Sequence, residues 1–254
     1  DALAQRPEKL DIVWLAKDPS HAGVPDNVRV VPYDTPAAIR ELSTARVWVD
    51  NCRKGAHVKK DGQYYMQTWH GFALKRIERD VADKLNTPEN AAYAEYAKRD
   101  SAQIDAIISN STFMTEIYQK SFWYHGAVLE YGSARNDILV HPPADAKHQV
   151  QQALHLPSDC QIIMYAPTFR ADHSLDAYQL DYQAVCRACA QRFGGNWVML
   201  VRLHPNVMKL AKDLKFDNQT TFDATSVDDM QLLLAGCDAV ITDYSSLMFD
   251  FALT

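Results

Sequence analysis

Tyr64-Tyr65-Met66-Gln67-Thr68-Trp69-His70-Gly71 and Trp197-Val198-Met199-Leu200-Val201-Arg202-Leu203-His204-Pro205 are built on one plan: a β-prone apolar run that ends in a histidine. Each predicts a parallel strand, Tyr64 to Trp69 and Trp197 to Leu203, with its histidine at the C-terminal end. In open α/β sheets ligands lie beyond that end of the strands. The two stretches fall in different halves of a 254-residue chain, a length that holds one large or two modest domains. Two domains facing each other across a cleft would bring both histidines to one place.

Outward from these stretches, apolar runs alternate with helical patterns. Leu10 to Ala16, Val28 to Tyr33, Arg46 to Asp50, Ala106 to Ser109 and Ala127 to Tyr131 read as further strands, bounded by Pro, Asp, Asn or Gly. Pro36 to Ser43, Pro88 to Gln103 and Thr112 to Ser121 read as helices. For the second of these, Asn86 or Thr87 can cap, Pro88 suits the first turn, and Glu89 complements the dipole. The alternation implies βαβ units and a parallel sheet. The two prolines in Val140-His141-Pro142-Pro143-Ala144-Asp145 interrupt it. A domain boundary placed there divides the chain into residues 1–143 and 144–254. In the second part Gln161 to Pro167 and Asp238 to Thr242 are expected strands, and Asp176 to Phe193 and Val227 to Ala235 expected helices. Leu247 to Leu253 reads as the opening of a buried helix. The abrupt start and end, with few strands in the second part, lead us to expect a fragment truncated at both ends.

Apolar residues make up 47% of the chain, ample for packed cores, and the net charge of -6 speaks against a nucleic-acid partner. Arg53, Lys54, His57, Lys59 and Lys60 form one basic run, and Lys75, Arg76 and Arg79 another. Each is either a solvated face or an attractor of an anionic substrate or lipid headgroups. Five cysteines, odd in number and irregularly spaced, make no disulfide framework. Cys186 and Cys189 recur at helical spacing with Tyr178, Tyr182, Val185 and Phe193, which marks a helix core rather than a redox or zinc pair. Cysteine usage fits the reducing cytoplasm. No signal peptide is recognised and no apolar run approaches the length that spans a bilayer.

Four places carry candidate chemistry. His70, before Gly71, is placed as a general base, or else as a structural ring. The glycine allows a sharp turn or a close approach. Arg202 and His204 alternate with Val201 and Leu203 and share one side of a strand end, where they form an anion site or pair with an acidic loop. Thr168 and Arg170 bring a hydroxyl and a guanidinium to another strand end, with Pro167 and Phe169 as packing. Asp243-Tyr244-Ser245-Ser246 runs from a buried strand into a helix start, where free N–H groups and hydroxyls bind phosphate or Ser245 simply caps. There is no G-x-x-x-x-G-K-[ST] or G-x-G-x-x-G motif. No D-x-D pair offers to chelate a metal–diphosphate, and Asp228-Asp229 reads as charge opening a helix.

Trp69-His70-Gly71 with Lys75, Tyr165-Ala166-Pro167-Thr168-Phe169-Arg170, Arg202-Leu203-His204-Pro205 and Asp243-Tyr244-Ser245-Ser246 occur in this order in the CDP-glycerol glycerophosphotransferases, which build teichoic acids and capsule polymers. The chain resembles that family from about Asp50 to its end. Gly132-Ser133-Ala134-Arg135-Asn136-Asp137 is similar to the family's glycine–x–proline–arginine–asparagine–aspartate stretch, with alanine in place of the proline. The resemblance implies an α/β, GT-B-like fold: two Rossmann-like domains with parallel sheets facing a cleft, 1–143 on the acceptor side and 144–254 binding the nucleotide.

It further implies transfer of glycerol phosphate from CDP-glycerol to a glycerol hydroxyl of a lipid-linked acceptor, with release of CMP. The enzyme would be cytoplasmic and peripheral at the inner membrane face. His70 and His204 are the expected catalytic residues. Trp69, Gly71, Lys75, Arg135, Asp137, Thr168, Arg170, Arg202, Asp243, Ser245 and Ser246 are the expected substrate-binding residues. No metal ligand and no tightly bound cofactor are assigned, and dependence on a divalent metal stays open. A GT-B glycosyltransferase using a nucleotide sugar, and a truncated non-catalytic binding module, are the competing readings.

Overall fold

A computed structural model describes the chain apart from residues 1–2, 4–5, 22, 55, 85–86, 169, 171–173, 205–206 and 208–213. Strands β1 (Val13–Ala16) and β2 (Arg29–Pro32) form a two-stranded parallel sheet of their own, followed by helix α1 (Pro36–Thr44). A four-stranded parallel sheet comes next, in the order β3 (Val47–Asp50), β4 (Tyr64–Gln67), β5 (Ala106–Ser109), β6 (Ala127–Glu130). Helices α2 (Arg79–Ala82) and α3 (Pro88–Ser101) connect β4 to β5, and α4 (Thr112–Ser121) connects β5 to β6. Short α5 (Asp137–Val140) and α6 (Ala146–Ala153) lead to the second half. There β7 (Cys160–Tyr165), α7 (Tyr182–Phe193), β8 (Asn196–Val201), β9 (Thr221–Asp223), α8 (Met230–Gly236), β10 (Ala239–Ile241) and α9 (Leu247–Phe251) follow. The second sheet has the order β10-β7-β8-β9, all parallel.

Helix starts are chosen locally. The side chains of Thr35, Thr87, Ser111, Asp181 and Asp229 each accept an N–H of the first turn, and Pro36 and Pro88 follow the two threonine caps. The Asp181 cap splits the single helix expected from Asp176 to Phe193. Asp176–Tyr178 is a separate 3-10 turn, and Tyr178 is buried. The sequence pattern did not foresee β9 or α6. β9 is short and polar-flanked, its turn built by Asp217 accepting N–H groups from Gln219, Thr220 and Thr221. Helix α6 is mostly polar and buries only Ala146, Val150 and Gln151. Of the two cap candidates for α3, Thr87 takes the position and Asn86 lies outside the described residues.

Alternation along β7 and β8 divides the second core into two layers. Ile162, Met164, Val198 and Leu200 pack with Val150, Leu233 and Leu234 on one face. Ile163, Met199 and Val201 pack with Leu203, Tyr178 and Cys186 on the other. Cys186 and Cys189 are therefore packing residues of α7, and burial pushes the Cys186 thiol up to about 11. The first core gathers Trp48, Tyr65, Ile107, Met114, Tyr118 and Phe122.

Three members of the basic run at 53–60 are taken up by carboxylates, while Lys60 stays exposed and donates to the Ser43 carbonyl. Arg53 is buried against Glu78 and Asp100, Lys54 pairs with Asp50, and Lys59 pairs with Asp105. Burial works against the charges of Arg53 and Lys54, but their carboxylate partners outweigh it and raise both pKa values.

Between the sheets the chain passes through residues 131–146. Ile138 and Leu139 of α5 pack into the second core. Arg135 clasps Asp250 of α9 with two nitrogens at 2.8–3.2 Å, and Asn136 donates to the same carboxylate at 2.7 Å. A buried acid on α9 is thus matched by a cation from the connecting segment. Asp250→Ala leaves Arg135 and the Asn136 amide without their acceptor. It should lower unfolding stability by about 1–3 kcal/mol, read from the denaturant midpoint.

Candidate active site

β4 ends at Gln67, and the chain then turns through Trp69 with φ of +54°, a left-handed conformation rare for an aromatic residue. The turn puts His70 at the sheet's C-terminal edge, exposed and stacked on the Trp69 ring at 4.4 Å. His70 Nδ1 lies 2.6 Å from the backbone carbonyl of Asn51, at the end of neighbouring β3. A carbonyl only accepts, so Nδ1 carries a proton, and in the neutral ring the lone pair is on Nε2. That is the tautomer a general base needs. Beneath the pair, the Trp69 ring meets Phe122 edge-on at 4.7 Å, and Arg53 lies 5.7 Å from its centroid. Trp69 is in this way the platform of His70.

Across from this edge, the second sheet reverses its winding between β7 and β10, the switch point where α/β sheets leave a crevice. Thr168, Arg170 and Asp243 meet there. Asp243 accepts the Thr168 N–H at 2.7 Å and the Arg170 guanidinium at 2.7 Å, and Arg170 also donates to the Thr168 carbonyl at 2.8 Å. Burial pushes the Asp243 carboxyl up, but hydrogen bonds from Thr168, Arg170 and the Tyr244 N–H outweigh it and hold it far below the usual carboxylate range. Ser245 Oγ accepts the Leu247 N–H at 3.3 Å, but Ser246 holds the N-cap position of α9 and makes no side-chain capping bond, so Ser245 is not the cap. Phe169 and Pro205, both parts of the sequence motifs, lie outside the described residues.

Arg202 does not pair with an acidic loop. Its Nη1 donates to the carbonyls of Ala224, Thr225 and Val227, tying the end of β8 to the loop after β9. Burial lowers its pKa against the pull of Asp228 and Asp223. The His204 backbone N–H donates to the Tyr178 hydroxyl at 3.1 Å. Burial, and then the charge of Lys75, lower the pKa of the His204 ring, so it is neutral near pH 7. Lys75 belongs to the first half, five residues past His70. A neutral His204 offers a hydrogen bond rather than a full charge, and exposed Lys75 adds a cation on the first half.

The halves touch at Gly71. A Cβ there would stand 2.6 Å from Ser246 Oγ, and the φ of Gly71 lies outside the left-handed region. Close approach is therefore why this position is glycine. Next to it, Phe72 stacks on Phe113 of α4 at 5.2 Å and meets Phe249 of α9 at 4.1 Å. Arg135 is taken up by Asp250, while Asp137 opens α5 in an exposed position. No group of three or more His, Cys, Asp or Glu side chains able to share a metal occurs among the described residues.

The motifs did not single out Asn51, Asp250 or the buried Arg53–Glu78–Asp100 cluster. Asn51 acts through a backbone carbonyl, for which no residue type is a signal. Asp250 did carry one: an acid inside the apolar run 247–253 requires a partner once buried.

Two α/β halves with parallel sheets, which approach one another where Gly71 meets Ser246, define a GT-B-like protein. The chain belongs to the CDP-glycerol:poly(glycerophosphate) glycerophosphotransferase family, whose model matches residues 1–254. It is 32% identical over 248 residues to a teichoic acid poly(glycerol phosphate) polymerase of Staphylococcus epidermidis, covering 95% of this chain and 34% of that protein. It is 32% identical over 235 residues to a teichoic acid glycerol-phosphate transferase of Staphylococcus aureus, covering 88% of this chain and 59% of that one. Among solved structures it resembles an asparagine-for-histidine variant of the wall teichoic acid polymerase TagF, with TM-score 0.81 and 30% identity over 95% of this chain and 60% of TagF. The same variant soaked with CDPG matches with TM-score 0.78 and 30% identity, over the same shares. The chain thus spans about a third to three fifths of the length of these relatives.

Gly71→Ala should cost about 1–3 kcal/mol by overpacking, and Ser246→Gly in the same chain should restore the melting midpoint. A Gly71→Ala protein as stable as its parent would mean that the Ser246 hydroxyl turns away without cost or that the halves are not in fixed contact here, and Ser246→Gly would then add nothing. Asp243, with its folded pKa depressed, contributes stability that is fully present above its unfolded value of about 4 and is lost as pH falls through the acid range toward the folded value. Asp243→Asn should therefore show a shallower loss of stability between pH 4 and 2 than the parent, followed by urea denaturation at each pH.

Proposed function

We propose that this chain transfers glycerol phosphate from CDP-glycerol to a glycerol hydroxyl of a lipid-linked acceptor, releasing CMP, in the synthesis of a teichoic-acid or capsule polymer. Residues 1–143 serve the acceptor and 144–254 the nucleotide. The observation that carries this reading is His70: exposed at the cleft, with Nδ1 tied to the Asn51 carbonyl and Nε2 left as the proton acceptor. Family membership and the CDPG-soaked relative support the choice of donor.

The acceptor oxygen attacks phosphorus in line with the departing CMP. Its proton passes to His70 Nε2, the new P–O bond forms, and the electron pair of the broken bond leaves on the CMP phosphate. Catalysis of this kind is chiefly positioning and electrostatics. Lys75 supplies positive charge and His204 a hydrogen bond to the departing phosphate. The Ser245–Ser246 turn and the Thr168–Arg170–Asp243 cluster shape the nucleotide side at the switch point. Arg202 positions the loop at 224–227, and Arg135 holds the connection between the halves. No helix among the described residues is long and apolar enough to cross a membrane. The exposed Lys75 and Arg76 beside the cleft fit a peripheral placement at the cytoplasmic membrane face, where the acceptor lipid presents anionic headgroups.

CDP-glycerol should raise the melting temperature by mass action and UDP-sugars should not. A reversed preference would favour a sugar donor. His70→Ala should reduce CMP release by about 10²–10⁴-fold, the contribution of one general base, and leave CDP-glycerol affinity within about twofold. Turnover close to the parent in that variant would remove His70 from the mechanism.

A further inference from the structure

Gln67 is 1% exposed, the last residue of β4, and none of its polar atoms reaches the cleft surface. A buried primary amide must be held by its neighbours, and these neighbours are the two walls that orient His70. Gln67 Oε1 accepts the Trp69 N–H at 2.9 Å, within the strained turn that carries His70. Gln67 Nε2 donates to the Cys52 carbonyl at 2.9 Å. That peptide directly follows the Asn51 carbonyl bonded to His70 Nδ1. Nε2 also donates to the Tyr65 hydroxyl at 3.0 Å, which leaves the Tyr65 proton to point at Asp100 Oδ1, 3.3 Å away. The Trp69 N–H can only give a hydrogen and the Cys52 carbonyl can only take one, so the partners dictate which end of the amide faces which wall.

We propose that Gln67 is a positioning residue for the transfer reaction. By clamping the Trp69 peptide to the 51–52 segment, it holds His70 in its Nδ1–H tautomer with Nε2 as the proton acceptor. The proposal rests on the reading of His70 as the base, yet its structural half is measurable without turnover.

Gln67→Met keeps the bulk and removes both hydrogen bonds. In nitrogen-15 spectra of the ring, with His70 assigned by its absence in His70→Gln, the parent should show one tautomer protonated at Nδ1. The folded Gln67→Met protein should show a mixture, and its kcat for CMP release should fall about tenfold to a hundredfold with KM for CDP-glycerol within about twofold. A second variant, Gln67→Glu, retains the acceptor for Trp69 but can donate to the Cys52 carbonyl only as the neutral acid. Burial raises the pKa of that carboxyl. Its turnover relative to the parent should therefore decline as pH rises through that titration. Ionisation of a buried carboxylate also weakens the fold, so the ratio is taken only over pH values at which the variant remains folded by circular dichroism.

An unchanged tautomer and kcat in folded Gln67→Met overturns the proposal. So does a flat ratio of Gln67→Glu to parent turnover across pH, which decides alone if Gln67→Met does not fold. A tautomer change without loss of turnover would leave Gln67 as the residue that orients His70 and would overturn the role of His70 in catalysis instead.

Discussion

Residue 71 has room for a side chain only if the Ser246 hydroxyl moves, and much of the site depends on that contact. The backbone of the His70 turn and the hydroxyl of Ser246 come so close that even a methyl group would collide. Around this contact the aromatic stack Phe113–Phe72–Phe249 and the Arg135–Asp250 clasp bind α4, the 131–146 connection and α9 into one seam. Protein interiors resist small displacements because they are close-packed. The seam joins the candidate base to the opposing half, although the Phe113 and Phe249 rings stay exposed, and an in-line transfer depends steeply on that separation. Burial, and after it the charge of Lys75, lower the pKa of His204.

Beneath His70 the chain spends buried charge. Arg53 donates to Glu78 at 2.6 Å, to Asp100 at 3.1 Å and to Ser101 at 2.7 Å, and it lies against the rings of Trp69 and Phe122. Asp100 also accepts the Lys54 N–H at 2.9 Å. Buried ion clusters of this kind add little net stability over a well-packed apolar core, because desolvation cancels most of the attraction. Their directional bonds do specify one arrangement, and here that arrangement is the 50–54 loop whose Asn51 carbonyl meets the imidazole. The left-handed Trp69 persists for the same reason: its neighbours over-determine it.

In the second half the sheet does comparable work by topology. Because β10 lies on the opposite side of β7 from β8, the loops after β7 and β10 part around a crevice and are tied across it by Asp243. Loops at strand ends are free to carry polar side chains while the buried strands hold their roots. Thr168, Arg170 and Ser245–Ser246 are positioned in this way, while Arg202 turns from the end of β8 to gather the carbonyls at 224–227.

Strand and helix identity was legible in the sequence because burial periodicity and capping chemistry are local. Runs such as Ala106–Ser109 and Thr112–Ser121 needed only their own residues and flanks to declare themselves. So did the histidines at two strand ends and the polar turn at 243–246, since a polar residue closing an apolar run is visible in one dimension. Tertiary structure alone decided that Arg53 would be buried between Glu78 and Asp100, that Arg202 and Arg135 would bind protein groups, that Gly71 answers to Ser246, and that a backbone carbonyl at Asn51 sets the protonated nitrogen of His70. Each of these joins residues tens to more than a hundred positions apart or acts through a main-chain atom common to every residue. Local pattern says which side chains are available, whereas partner, distance and protonation state belong to the folded arrangement that brings them together.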